Sequence, residues 1–205
     1  MNFREFESQV KQLPLFNLND IRKIDPGFYR QQLTDWQQRG FIQPVANGYY
    51  MLADREVNEG FLFMAANQIY SPSYVSLESA LAYEQVIPES VLGVTSVSAR
   101  NTRRFDSPWG QFIYRRVKPL YMFGYRVVDT HSNQKFLVAT PEKAVLDYLY
   151  LNTHIQTLDD FDSLRWDKAR LNHLLDKAVL EKFLGIYHQQ TLEDRVDVLM
   201  RYLDA

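Results

Sequence analysis

Residues 33–52, LTDWQQRGFIQPVANGYYML, change period halfway along. Leu33 and Trp36 are spaced as on one face of a helix, and Gly40 stops that pattern. Phe41, Ile42 and Val45 then run into Asn47-Gly48, and Tyr49, Tyr50 and Leu52 run out again. A type I′ turn needs φ > 0 at both central residues, which Asn-Gly tolerates, so a helix feeding a tight β-hairpin is expected.

Working back from that corner, Phe3, Phe6, Val10 and Leu13 recur at three- and four-residue steps and predict an amphipathic helix ended by Pro14. Asn17 or Asn19 is placed to cap a short second helix carrying Ile21 and Ile24. Pro26 suits the first turn of a third helix, residues 26–39, with Tyr29, Leu33 and Trp36 on its buried side. Three short helices and a hairpin are the order of a winged helix-turn-helix, here spanning residues 1–55. In such a domain the third helix fits the major groove, where Arg and Gln read base edges. The hairpin reaches the backbone or minor groove, and Pro44 marks it as a sheet edge. The candidate DNA contacts are Arg22, Lys23, Arg30, Gln31, Thr34, Gln38 and Asn47. Seven bases against six acids leave residues 1–55 at only +1, so protein docking and plain scaffolding stay open beside DNA binding.

Composition narrows the class. At 205 residues, with 46% hydrophobic and 23% charged side chains, the chain suits one or two folded domains. The absence of cysteine removes disulfides, thiol catalysis and thiolate metal sites together. No apolar run is long enough to span a membrane, and Glu5 and Glu7 stand where a signal peptide needs an apolar stretch. A cytoplasmic protein without a membrane partner is expected.

Charge is zoned. Residues 100–126 hold seven bases against Asp106 alone, a net of +6, whereas residues 142–205 carry −4. Arg100, Arg103, Arg104, Arg115, Arg116 and Lys118 therefore form a candidate surface for a polyanion or an acidic partner. Arg100, Arg103 and Arg104 are expected in a turn, and Arg115 and Arg116 on opposite faces of the next strand. Phe105, Trp109, Phe112 and Tyr114 interleave them as base-stacking groups, interface anchors or core.

The second domain, residues 60–205, reads as α+β. Phe61 to Tyr70 suggests a connecting helix, and Ser73 or Ser76 caps another with Leu77, Ala80, Leu81 and Tyr83. Alternating strands follow over residues 91–99, 111–117 and 121–130, the last pairing with 135–138 through the turn HSNQ, which together predict an antiparallel sheet. Thr140, Pro141 and Glu142 start a helix that is apolar nearly all round. A helical tail follows, with stripes Leu171–Leu174–Leu175–Ala178 and Leu192–Val196–Leu199–Leu203 separated at Gly185.

Little chemistry is encoded. His131, His154, His173 and His188 share no metal-ligand spacing, and no phosphate-loop or nucleophile motif occurs. Asp159, Asp160 and Asp162 form either a hard-cation site or an acidic helix start. No cofactor, metal or catalytic residue is assigned, and no enzyme is expected.

The order of winged helix, PSYVSLESALAY, VTSVSARNTRRFDSPWGQFIYRRVKP, FGYRVV and VATPEKAVLDYLYL resembles the AbiEi family of abortive-infection antitoxins. Its most specific piece pairs Ser73-Tyr74-Val75-Ser76-Leu77 and Ala80-Leu81 with Ala139-Thr140-Pro141-Glu142-Lys143-Ala144. The resemblance implies an antitoxin and transcriptional autorepressor of a type IV toxin–antitoxin locus for phage defence. Its N-terminal domain would bind inverted repeats in its own promoter. Its C-terminal domain, with the basic segment as an antitoxin or nucleic-acid surface, would counter a cognate nucleotidyltransferase toxin without needing a stable complex. The alternatives are a transcriptional regulator whose second domain senses a ligand, and a nucleic-acid enzyme using the three aspartates.

Overall fold

A computed structural model describes residues 1–88, 93–130 and 135–205. It begins with α1 (Phe3–Val10), β1 (Phe16–Asn17), α2 (Leu18–Ile24), α3 (Gln31–Gln38), β2 (Ile42–Ala46) and β3 (Tyr49–Leu52). Asn17 is the α2 cap, its side chain accepting from the Asn19 and Asp20 amides while Asp20 accepts from the Asn17 amide. The expected hairpin forms, with Asn47 at φ 50 and Gly48 at φ 77. β3 sits between β1 and β2 in an antiparallel three-stranded sheet, leaving β2 at the edge, where the missing Pro44 N–H costs nothing.

The third helix is shorter than expected. It starts at Gln31, because the Asp25 carboxylate accepts from the Gly27 amide and turns the chain before the helix begins. That shift places Phe28 in the core and turns Tyr29 out to 77% exposure. Phe6, Val10, Phe16, Ile21, Phe28, Leu33, Trp36, Ile42 and Leu52 close a first core.

The rest comprises α4 (Glu59–Ile69), β4 (Ser73–Val75), α5 (Leu77–Tyr83), β5 (Val94–Ser98), β6 (Arg103–Ser107), β7 (Gly110–Arg116), β8 (Tyr125–Asp129) and β9 (Lys135–Ala139). The helices α6 (Pro141–Leu151), α7 (Leu158–Ser163), α8 (Lys168–Leu174), α9 (Lys177–Tyr187) and α10 (Gln190–Asp204) follow. The six strands order as β6-β7-β5-β4-β9-β8. This sheet is mixed, not antiparallel as expected, because β4 runs parallel to β9 and β5 parallel to β7. The SPSYV segment, read only as a helix start, contributes the central strand β4. All five residues of β5 are buried, since helices cover both faces of the sheet. On one face Tyr114 donates to the Ala66 carbonyl of α4; on the other Tyr74 donates to Asp147 of α6.

Two further expectations shift. The connecting helix forms as α4, with Phe61, Phe63, Met64, Ala65, Ala66 and Ile69 buried in the larger core beside Leu15, Val45, Ala46 and Met51. Gly185 lies within α9, and the break falls at His188, in the left-handed conformation at φ 48. Asp176 caps α9, so Leu171 and Ala178 belong to different helices. The turn expected at 131–134 and the strand residues 91–92 lie outside the described residues. Among the described residues, no helix is long and apolar enough to cross a membrane.

Candidate nucleic-acid interface

On α3, Leu33 and Trp36 face the first core, and the other side is solvent. Arg30, Thr34 and Gln38 follow at four-residue steps, so their Cβ atoms stand in one row, with Gln31 beside it. None of these four side chains makes a hydrogen bond within the described residues, and Tyr29 stands exposed just before them. Arg22 and Lys23 lie exposed on the last turn of α2, where Lys23 pairs with Asp20 at 3.1 Å. Spacing alone predicts Tyr29 in the core; the chain turn at Asp25–Gly27 puts it outside.

The hairpin tip is occupied differently. Asn47 Nδ2 donates to the Ile69 carbonyl at 3.2 Å, fastening the turn to the end of α4. Leu15, Val45, Ala46 and Met51 belong to the larger core, together with residues from Phe61 onward. The β6–β7 turn lies alongside: residues 44–50 and 106–108 line a cleft of about 280 Å3. The hairpin thus shows one face to its own helices and the other to the second unit.

The basic segment resolves into two classes. Arg100 stacks on the Tyr70 ring at 4.2 Å and donates to the Ser71 carbonyl. Arg115 donates to the Leu151 carbonyl at the end of α6, and Arg116 donates to the Asn101 side chain. Lys118 lies 5.7 Å over the Tyr121 ring, and Arg126 pairs with Glu84. Arg103 and Arg104, expected in a turn, instead lie on β6, the edge strand, because Arg103↔Tyr114 and Arg104↔Ile113 pair in register with β7. Both are exposed, and neither is engaged among the described residues. Their alternation sends them to opposite faces of the sheet edge. The aromatics between them are mostly core: Phe112 and Tyr114 are buried, and Phe105 packs on Tyr70 and Tyr114.

The acidic run LDDFD is a helix start. Asp160 accepts from the Gln156 and Thr157 amides and the Thr157 hydroxyl, and these bonds hold its carboxyl below the usual range. Among the described residues no group of three His, Asp or Glu lies close enough to hold a metal.

A polar cluster that the sequence pattern did not reveal sits in the second core. Lys143 and Asp147 pair across one turn of α6, both fully buried. Tyr74 and Ser76 each donate to Asp147 at 2.8 Å, and Lys143 donates to the Tyr187 hydroxyl at 2.7 Å. Burial drives the Lys143 pKa down, opposed by Asp147, and drives the Tyr74 and Tyr187 phenols up. Two opposite charges one turn apart on a helix that is apolar beyond its first turn are the signal the sequence offers. Every polar group in the cluster is satisfied, so it ties β4, α6 and α9 together. No known family model and no curated protein matches this chain.

Proposed function

We propose that the chain is a DNA-binding antitoxin and autorepressor of the type IV class, with residues 1–55 as its winged helix. The observation that carries the DNA-binding half is the uncommitted row Arg30–Thr34–Gln38, with Gln31 and Tyr29, on a helix whose other face is locked into the core. A recognition helix presents residues of this kind near its N-terminus to base edges. Arg22 and Lys23, close by in sequence, suit phosphates. Asn47 is already committed to Ile69, so the base-reading role falls on α3 and not on the hairpin tip. The antitoxin half rests on the resemblance of the second unit, whose two most specific segments meet in the cluster of Tyr74, Ser76, Lys143 and Asp147.

Fluorescence anisotropy with a duplex from the chain's own promoter tests the first half. Arg30→Ala should cost about 1–3 kcal/mol and relax specificity at one base pair. Unchanged affinity would remove α3 as the reading element. Coexpression with a neighbouring nucleotidyltransferase tests the second, and failure to rescue growth would leave a regulator without antitoxin activity.

A further inference from the structure

The six-stranded sheet ends in two edge strands, β6 and β8. An edge offers unpaired N–H and C=O groups to any extended chain, and folded proteins guard such edges with charge. β6 is guarded: Arg103 and Arg104 stand on it exposed and unengaged among the described residues. β8 is not. Its Arg126 is held by Glu84 and its Asp129 by Lys135 at 2.9 Å, so both charges are answered within the chain. Between them Val127 is 63% exposed, and Tyr125, stacked on Tyr74 at 4.8 Å, is 41% exposed.

The direction of the backbone groups on β8 follows from its pairing with β9. Tyr125 lies opposite Ala139, so Gly124 lies opposite Thr140, and the Thr140 amide donates to the Gly124 carbonyl. Bonded and non-bonded pairs alternate along an antiparallel ladder, so Arg126 and Val128 bond to β9. Tyr125, Val127 and Asp129 therefore turn their N–H and C=O groups outward. Their side chains share one face of the sheet.

We infer that β8 pairs with β8 of a second copy of this chain, antiparallel about a two-fold axis at Val127. Charge and shape choose the register. An axis at Arg126 would set two guanidiniums directly opposite each other, which is destabilising. An axis at Val128 would set Val127 against the Asp129 carboxylate of the second copy. An axis at Val127 brings the two valines together and sets Tyr125 opposite Asp129 of the second copy, where a phenol can donate to a carboxylate. It also matches the outward backbone groups of all three residues. The strand thus carries its own complement, which an extended segment of another protein would have to supply. This pairing rests on β8 alone and is independent of the DNA-binding reading.

Sedimentation of the full chain over a range of concentrations should show reversible association into a species of twice the chain mass. Val127→Lys places like charges at the axis and should raise the dimer dissociation constant roughly tenfold or more. Because Val127 is exposed in the single chain, far-ultraviolet circular dichroism of that variant should be unchanged. The chain has no cysteine, so an introduced thiol reports its own neighbours. Directly opposed residues of a bonded antiparallel pair have Cα atoms about 5.5 Å apart, within disulfide reach. Val127→Cys should therefore give a disulfide-linked dimer under mild oxidation. Asp129→Cys should not, because its two copies lie four residues out of register, roughly 13 Å apart. The inference is overturned if the chain sediments as a monomer at every concentration, which would leave the edge to a different protein. It is equally overturned if Val127→Lys associates like the unmodified chain, or if Asp129→Cys cross-links as readily as Val127→Cys.

Discussion

Lys143 and Asp147 lie one turn apart on α6 and pair without any exposure to solvent at either side chain. A buried pair of this kind gains little over an apolar pair of the same volume, yet breaking it strands a charge in the core. Asp147→Ala should therefore cost about 3–5 kcal/mol in urea unfolding. The double variant Lys143→Met/Asp147→Leu should cost less than Asp147→Ala alone. A double variant at least as destabilised as the single one would show that the pair contributes stability in its own right.

Alkaline unfolding follows from this cluster together with two buried phenols outside it. Tyr74, Tyr114 and Tyr187 have phenols raised by burial, and Tyr148 is pushed up to about 12. Their folded values exceed the unfolded value near 10, so the native state keeps protons that the unfolded chain releases. Their contribution is whole below that pH and lost as pH rises above it. Lys143 works in the opposite sense: its lowered folded value makes the unfolded chain bind more protons, so that term grows as pH rises toward 10.5. Four phenols outweigh one ammonium, so stability should fall steadily above about pH 10. Tyr187→Phe should make the fall shallower; an unchanged slope would mean that Tyr187 ionises as freely in the folded state as in the unfolded one.

What could be read in advance was local. Asn47-Gly48 carries its turn in its own backbone preferences, Asn17 caps α2 through neighbouring amides, and Thr140-Pro141 starts α6 without help from elsewhere. What failed was set by distant contacts. The start of α3 depends on the Asp25–Gly27 turn, and Tyr29 carries no sign in its spacing that Phe28 will take its place in the core. β4 is three residues long and earns its central position only from partners at Ser96–Ser98 and Val138. Parallel pairing leaves no hairpin signal, so neither β5–β7 nor β4–β9 is marked in the sequence. At the candidate site, the exposed residues of α3 follow from helical period alone. The separation of Arg103 and Arg104 from their committed neighbours required the register of β6 on β7.

That separation sharpens what the basic segment should do. Tyr114 is buried with its hydroxyl on the Ala66 carbonyl, so it does not present an aromatic anchor to a partner. The turn that ends β6 lies against the hairpin of the N-terminal unit, which carries Arg103 and Arg104 in fixed relation to it. If α3 reads DNA as proposed, phosphates flanking its site are the expected targets. Arg103→Gln/Arg104→Gln should flatten the dependence of log K on log salt by about one unit, because the two side chains leave opposite faces of the sheet edge and one of them meets a phosphate, while rescue from the toxin survives. Arg115→Gln is the control, because its guanidinium is spent on the Leu151 carbonyl. It should lower stability by about 1 kcal/mol or more and leave the salt slope alone. A double variant with an unchanged slope and lost rescue would move Arg103 and Arg104 from DNA to the toxin-facing function.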